Sequence, residues 1–190
     1  MKRISLISAL IITFFITSCI PTPPIGGTNS FVTYIINTGE HYSNNNGILL
    51  MTNISEMKFI AKFDSSAIYT SVIPINQADI HKLYGFSDNN TQHHDNSARI
   101  GWRWFNDELQ LLGYVYNNTV RSNIFIKSVP LNTEINCSIK IIGNKYIFTV
   151  DGSSIEMPRT STIQSGYKLY PYFGGDEVAP HTIKILIKDL

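Results

Sequence analysis

The chain has 190 residues, of which 43% are hydrophobic and 15% are charged. This length fits one medium-sized domain, and the composition supplies enough apolar side chains for a core, which excludes the disordered class. The 15 basic residues balance the 14 acidic ones and are scattered along the chain, unlike the basic patches that bind nucleic acid. We therefore expect no nucleic-acid partner.

Residues 1–18 form a predicted signal peptide. Lys2 and Arg3 precede an apolar stretch that ends at Ile16-Thr17-Ser18-Cys19. This stretch is shorter than the roughly 20 residues that a membrane-spanning helix needs, and its layout is that of a secretory signal. The segment resembles a bacterial lipoprotein signal, although Ile16 stands where that family usually has leucine. The resemblance implies that Cys19 becomes the first residue after cleavage and that its thiol carries the lipid.

Under this interpretation the membrane is a partner through the N-terminal lipid, and we expect the protein at the bacterial cell envelope, on the outer membrane. The alternative is an ordinary secretory signal with an incidental cysteine. Residues 19–29 are rich in proline and glycine and form a predicted tether, which leaves residues 30–190 for the domain. The second cysteine, Cys137, alternates with Ile135 and Ile139, so we interpret it as a small buried hydrophobe without a disulfide partner.

The domain is dominated by short runs in which apolar and polar residues alternate. Alternation with a period of two is typical of strands with one buried face, and Asn, Gly, Asp and Pro separate the runs. Short strands at this spacing predict an all-β fold, an antiparallel β-sandwich or jelly roll, with one helical turn at 76–83. The predicted strands are 31–36, 47–51, 57–63, 67–69, 98–105, 109–116, 124–129, 135–142, 146–150, 154–157, 169–173 and 182–187.

Two turns follow each other closely in the segment 139–157. Gly143-Asn144 suits a tight hairpin turn, and Asp151-Gly152 forms a second turn before the next strand. This succession resembles the hairpins near the back sheet of concanavalin A-like lectin and glucanase jelly rolls. The resemblance implies that fold and says little about activity. The stretch 166–181, dense in Tyr, Gly and Pro, resembles the end of uncharacterised jelly-roll lipoproteins of Bacteroidetes.

A two-residue loop at Asn106-Asp107 is predicted to pair Phe105 with Glu108. Because side chains alternate along strands, this register sorts the hairpin into two faces. The apolar face should lie in the core and holds Ala98, Ile100, Trp102, Trp104, Leu109, Leu111, Gly113 and Val115. The other face holds Arg99, Gly101, Arg103, Gln110, Leu112, Tyr114 and Tyr116.

The second face is the predicted binding surface, because arginine grips carboxylates and hydroxyls while tyrosine stacks on sugars. Residues from the Tyr-rich stretch near the C-terminus are expected to border it. The predicted glycan-binding residues are Arg99, Arg103, Gln110, Tyr114, Tyr116, Tyr170, Tyr172 and His181. The alternative is an ordinary solvent face, since tyrosine favours strands and arginine covers its neighbours.

A polar loop leads into this hairpin and contains His93 and His94. It has neither the His-x-His nor the Glu-x-x-His spacing of common metal sites, so we expect no metal ion. We expect no cofactor either. The loop is interpreted as solvent-exposed or as the rim of a groove.

The resemblance to glucanases and lyases raises the question of catalysis. Glucanases of this superfamily carry a Glu-x-Asp-x-Glu strand that supplies two carboxylates to one groove. This sequence has no such strand, and Glu108, Glu134 and Glu156 each stand alone. We therefore expect no hydrolysis of that kind.

Alginate-lyase-like members of the superfamily use arginine to neutralise a uronate carboxylate, with histidine and tyrosine as base and acid. Arg99, Arg103, Tyr114 and a histidine are of the required types, but Gly101 replaces the Glu of the family's Arg-x-Glu-x-Arg strand. The expected function is a membrane-anchored lipoprotein that binds glycan without catalysis. The alternatives are a lyase acting on uronate-containing glycan and a structural lipoprotein without a glycan ligand.

Changing Cys19→Ala should release the protein from the membrane or leave an uncleaved precursor, because the single acylated thiol supplies the retaining chains. Membrane fractionation combined with mass spectrometry of the N-terminus measures both outcomes. A Cys19→Ala protein that is processed and still membrane-bound would contradict the prediction.

Overall fold

The computed structural model describes residues 30–190, which form two antiparallel sheets packed around one apolar core. The back sheet has the strand order β1-β12-β3-β8-β9-β10, and the front sheet has the order β2-β11-β4-β5-β6-β7. The strands are β1 (Val32–Ile36), β2 (Leu50–Met51), β3 (Glu56–Phe63), β4 (His81–Ser87), β5 (Ser97–Phe105), β6 (Glu108–Asn117), β7 (Val120–Val129), β8 (Ile135–Ile142), β9 (Lys145–Val150), β10 (Ser153–Pro158), β11 (Gly166–Leu169) and β12 (Ile183–Asp189).

The predicted all-β class and the antiparallel β-sandwich are confirmed. The predicted strand at 67–69 is wrong, because a 3-10 turn at Ser65–Ala67, capped by the Asp64 carboxylate, occupies its start. The predicted helical turn at 76–83 is half right: a 3-10 helix covers Pro74–Ala78, and β4 begins at His81. Most of β4 is buried on both faces, so its sequence lacks the alternation that marks a half-exposed strand.

The predicted register of the β5–β6 hairpin is confirmed. Asn106 and Asp107 both adopt the left-handed backbone conformation, with φ of 54° and 58°, that a two-residue hairpin loop requires. Phe105 therefore pairs with Glu108, and the pairing continues outward without a shift. Trp102 is fully buried, as expected, whereas Trp104, near the end of its strand, is only half-buried at the edge of the core.

The core between the sheets is rich in aromatic side chains. Full burial of a large apolar side chain contributes about 1.5–3 kcal/mol to stability. The largest fully buried side chains include Trp102, Tyr84, Tyr146, Phe59, Phe63, Phe86 and Phe148. Cys137 is buried, as predicted, and burial raises the pKa of its thiol.

The predicted signal peptide, Cys19 and the tether lie outside the described residues. Among residues 30–190, no helix is long and apolar enough to cross a membrane.

One buried ion pair joins the two sheets at the end of β4. Both guanidinium nitrogens of Arg159 that face Asp88 donate to its carboxylate, Nε to Oδ2 at 2.6 Å and Nη2 to Oδ1 at 3.2 Å. The hydroxyl of Tyr146, on β9 of the back sheet, donates to the same Oδ2 at 2.6 Å. Asp88 is fully buried, and its backbone N–H donates to Asn96 O at 2.9 Å. This network therefore holds the start and the end of the 88–96 loop.

Asp88→Asn should lower the free energy of unfolding by about 3–5 kcal/mol, because it leaves the Arg159 guanidinium buried without a charge partner. Urea denaturation followed by tryptophan fluorescence measures this change. The matched control is Glu156→Gln, which removes the exposed ion pair with Lys145 and should cost no more than about 1 kcal/mol. Equal effects of the two variants would contradict the structural role of the buried pair.

Candidate ligand-binding site

A pocket of about 570 Å³ opens on the outer face of the front sheet. Its floor comes from β4, β5 and β6, and its walls come from the strand ends and loops around them. This volume lies within the range of about 300–1,000 Å³ that is common for small-molecule sites. Side chains that form the floor or walls include Lys82, Arg99, Tyr114, Tyr116, Tyr167 and Tyr172.

Arg99 is the central charged group of this pocket. The residue is only 5% exposed, and its Nε and Nη2 atoms have no hydrogen-bond partner among residues 30–190. Its guanidinium lies 5.4 Å from the ring centroid of Tyr114, the residue paired with it on β6. Burial lowers the pKa of Arg99, but an arginine stays protonated in a protein. Since buried polar groups are nearly always satisfied, two buried donors without a partner are unusual on a residue that lines a pocket, and a ligand with acceptor oxygens would satisfy them.

Positive charge is concentrated around Arg99. Lys82 on β4 and Arg121 on β7 also line the pocket, and Asp176 is the one acidic residue among the described lining residues. Lys168 lines the pocket too, but its ammonium group pairs with Asp189 at 2.7 Å. The whole chain is nearly neutral, so this local excess of cations favours an anionic ligand.

Aromatic rings form the wall opposite β7. Tyr172 stacks on His41, with 5.3 Å between ring centroids and 9° between planes, and meets the edge of Tyr42 at 5.0 Å. Tyr42 is 62% exposed at the rim of the pocket. On the floor, the Tyr114 and Tyr116 ring centroids lie 5.8 Å apart. Rings of this kind offer faces on which a sugar can stack and hydroxyls that can bond to it.

The loop with His93 and His94 forms part of the rim, one of the two positions considered for it from the sequence. His93 is tied to β11, because its backbone N–H donates to the Tyr167 hydroxyl at 3.1 Å and its Nδ1 lies 3.0 Å from the same oxygen. Burial, together with the charge of Arg99, lowers the pKa of His93 to about 4. His93 is therefore neutral at neutral pH.

The structure brings five of the eight predicted binding residues to this pocket: Arg99, Tyr114, Tyr116, Tyr170 and Tyr172. Whether they bind a glycan stays a prediction. The Tyr170 ring packs 6.0 Å from the rings of Tyr34 and Tyr84, so it supports the wall from the core side.

Arg103, Gln110 and His181 lie outside the pocket. Arg103 and Gln110 share the outer face of the hairpin with Arg99, as the predicted register requires, but they do not reach the pocket that Arg99 lines. Arg103 donates from Nε to Gln110 Oε1 at 2.9 Å and from Nη1 to Ala78 O at 2.9 Å, so these side chains satisfy each other. His181 lies two residues before β12 of the back sheet, and its Nε2 is 2.9 Å from Ser66 O.

Sequence reasoning missed Lys82, Arg121 and Tyr167. The sequence pattern predicts a helical turn at Lys82, and it predicts that the strand of Arg121 starts at residue 124, four residues after its observed start at Val120. Asn118 and Thr119 form the β6–β7 turn with positive φ, and this turn pairs Tyr116 with Arg121. The Asn at position 118 was the available signal, because asparagine tolerates that conformation.

The described residues contain no cluster of metal-ligating side chains, and Glu108, Glu134 and Glu156 do not line the pocket. Within residues 30–190, no three His, Cys, Asp or Glu side chains lie close enough together to hold a metal ion. Glu108 bonds to Ser128, and Glu156 pairs with Lys145, both away from the pocket.

Comparison of the sequence with protein-family models and with curated proteins gives no match. Solved structures of similar fold include the alginate lyase AlyC3, with 10% identity and a TM-score of 0.53 over 83% of this chain and 72% of that chain. The catalytic domain of an endo-1,3-β-glucanase (laminarinase) from Thermotoga petrophila RKU-1 matches with 11% identity and a TM-score of 0.53 over 85% and 77%. LamAcat from Zobellia galactanivorans matches with 10% identity and a TM-score of 0.50 over 85% and 77%.

The domain has a concanavalin A-like jelly-roll fold. At these identities the likeness concerns the fold alone, because one fold hosts many functions.

Proposed function

We propose that the domain binds an acidic glycan without catalysis, with a carboxylate of the sugar on Arg99. The observation that carries this proposal is the buried guanidinium whose Nε and Nη2 have no partner among residues 30–190. A carboxylate fits it better than a hydroxyl, because two oxygens can accept from the guanidinium fork at once. Such a charge-assisted bond contributes about 1.5–3 kcal/mol.

Two features support a glycan as the rest of the ligand. The pocket offers tyrosine rings and hydroxyls on opposite sides of Arg99, from Tyr114 and Tyr116 on β6 and from Tyr172 on the facing wall. The proteins of similar fold reported above are an alginate lyase and a laminarinase, and both of these names refer to a polysaccharide. Sugars present apolar faces and hydroxyl edges, which suit this mixture of side chains.

We also propose that the domain works at the bacterial cell envelope, held to the outer membrane by a lipid on Cys19. The predicted tether of residues 19–29 would extend up to about 35 Å. This length lets the pocket reach glycans next to the membrane surface.

A second candidate function is elimination catalysed by the same pocket. Arg99 would neutralise the uronate carboxylate, and neutral His93 is of the type that can take the proton from C5. The C5–H bond would break, a C4=C5 double bond would form, and the C4–O bond would break as a tyrosine hydroxyl protonates the leaving oxygen. The observation that favours this candidate is that His93 lines the same pocket as Arg99, Tyr114 and Tyr116. Its lowered pKa, about 4, leaves it neutral but makes it a weak base, which is why binding is the first candidate.

Arg99→Gln should weaken binding of uronate oligosaccharides by at least tenfold, because it removes the charged fork that grips the carboxylate. Calorimetry with tetrasaccharides of mannuronate, guluronate and galacturonate, and with laminaritetraose as the neutral comparison, measures this. Arg99→Lys should recover only part of the affinity, since lysine keeps the charge without the fork. The matched control is Arg103→Gln, on the same strand and outside the pocket. Unchanged uronate affinity in folded Arg99→Gln would contradict the proposal.

The absence of catalysis is tested with the corresponding polymers. Binding alone predicts that prolonged incubation with alginate or polygalacturonate produces no ultraviolet absorbance from a C4=C5 double bond. Absorbance that grows with time and is abolished by His93→Ala would establish the lyase candidate instead.

A further inference from the structure

Lys82 is held in place beside Arg99 by its backbone and by its neighbours. Its N–H donates to Tyr172 O at 2.9 Å, and its carbonyl accepts from Tyr172 N–H at 2.9 Å. On its other side, Lys82 pairs with Gly101 of β5. The position of the ammonium group also depends on Gly174, because a Cβ at that residue would lie 2.2 Å from Lys82 Nζ.

The ammonium group of Lys82 contacts a backbone carbonyl and two tyrosine rings and forms no ion pair with a carboxylate among residues 30–190. Nζ donates to Ile80 O at 2.9 Å and lies 4.9 Å from the Tyr114 ring centroid and 5.8 Å from that of Tyr172. None of the ion pairs among the described residues includes Lys82. A lysine with one neutral acceptor keeps donor capacity for a ligand.

The charged and titratable groups around Lys82 come from every neighbouring element. Arg99 lies on β5, Tyr114 on β6 and Arg121 on β7, while Tyr172 follows β11. Asp79, from the segment before β4, is the acidic group that acts on Lys82. Asp176, whose backbone N–H donates to Asp79 Oδ2 at 3.4 Å, is a second acidic group and lines the pocket. Neither carboxylate forms an ion pair with Lys82, so an anionic ligand would pair with the ammonium directly.

We propose that Lys82 joins Arg99 in binding the acidic group of the ligand, and that protonation of Lys82 controls how tightly the pocket holds that ligand. The proposal rests on the acidic-glycan function and adds a second binding group and its regulation by pH. Under this proposal the pocket binds the acidic ligand tightly below neutral pH and weakly in alkaline solution.

The direction of the pH effect follows from linkage. Burial lowers the pKa of free Lys82 to about 8, with further lowering from Arg99 and Arg121. A bound carboxylate favours the charged amine, so the pKa rises on binding and the pocket takes up protons. Affinity is therefore complete where free Lys82 is protonated, below about pH 7, and falls as the pH rises through 8.

His93 and Tyr114, which line the pocket with Arg99, do not titrate in this range. The pKa of His93 is lowered to about 4 and that of Tyr114 is raised to about 12, in both cases chiefly by burial. Sugar carboxylates, like other carboxyl groups, are ionised above about pH 5. A change centred near pH 8 is therefore not that of His93, Tyr114 or the sugar carboxylate, and the Lys82 variants assign it.

The test is calorimetry with the uronate tetrasaccharide that binds most tightly, at constant ionic strength between pH 6.5 and 9.5. For the unmodified protein we expect about tenfold weaker binding at pH 9.5 than at pH 7, since each unit of pKa rise is tenfold in affinity. At pH 8, the apparent enthalpy should differ between buffers of different ionisation enthalpy in the sense of proton uptake.

Two substitutions at Lys82 separate its charge from its shape. Lys82→Arg stays protonated and should bind with a flat pH profile. Lys82→Gln should also give a flat profile, but with the weak affinity that the unmodified protein shows at pH 9.5. The matched control is Lys140→Gln, an exposed residue on β8 of the back sheet, which should keep the parent profile.

The outcomes distinguish this proposal from the one on which it rests. Two results would overturn the role of Lys82 and leave the acidic-glycan function standing. One is uronate binding that depends on Arg99 but is constant from pH 7 to 9.5, and the other is a Lys82→Gln protein with the parent profile. Failure of every uronate tetrasaccharide to bind at any pH overturns both proposals. The proton uptake is measured on the unmodified protein, so it decides the question even where a Lys82 variant does not fold.

Discussion

The register of the β5–β6 hairpin is the constraint on which both faces of the front sheet depend. Asn106 and Asp107 close the loop with two left-handed residues, and this places Trp102 in the core and Arg99 in the pocket. A slip of one residue would exchange the two faces, burying arginines between the sheets and exposing tryptophans. Such a slip would strongly destabilise the fold, so the register is firmly set. The two-residue turn that sets it therefore also decides which side chains face the candidate site.

The loops around the pocket are held by specific contacts. They surround Arg99 and Lys82, which form no ion pair with a carboxylate among the described residues. The buried pair of Asp88 and Arg159 anchors the loop that carries His93, and the mutual backbone bonds of Lys82 and Tyr172 anchor the opposite wall. Holding a buried charge away from water lowers stability. In this domain that charge lines a pocket, and a destabilising group at a pocket is the pattern expected of a functional site.

The fold by itself does not decide between binding and catalysis, since one fold hosts many functions. The chemistry of the pocket separates the candidates. A lone Asp176 among the described lining residues cannot supply the carboxylate pair of a double-displacement hydrolase. Arg99 and Lys82 can hold an acidic group, and the neutral His93 at the rim is what keeps elimination as a second candidate.

The sequence alone determined the all-β class, the two faces of the β5–β6 hairpin and the burial of Trp102 and Cys137, because alternation and turn residues are local signals. It located Arg99, Tyr114 and Tyr116 together, since they lie on one face of one hairpin. Only the tertiary structure showed that Lys82 lies beside them and that His181 lies next to the back sheet, away from the pocket. Lys82 lies on a strand that is mostly buried on both faces and carries no alternation, and the position of His181 depends on the sheet that β12 joins. Both facts follow from long-range strand pairing, which no local pattern encodes.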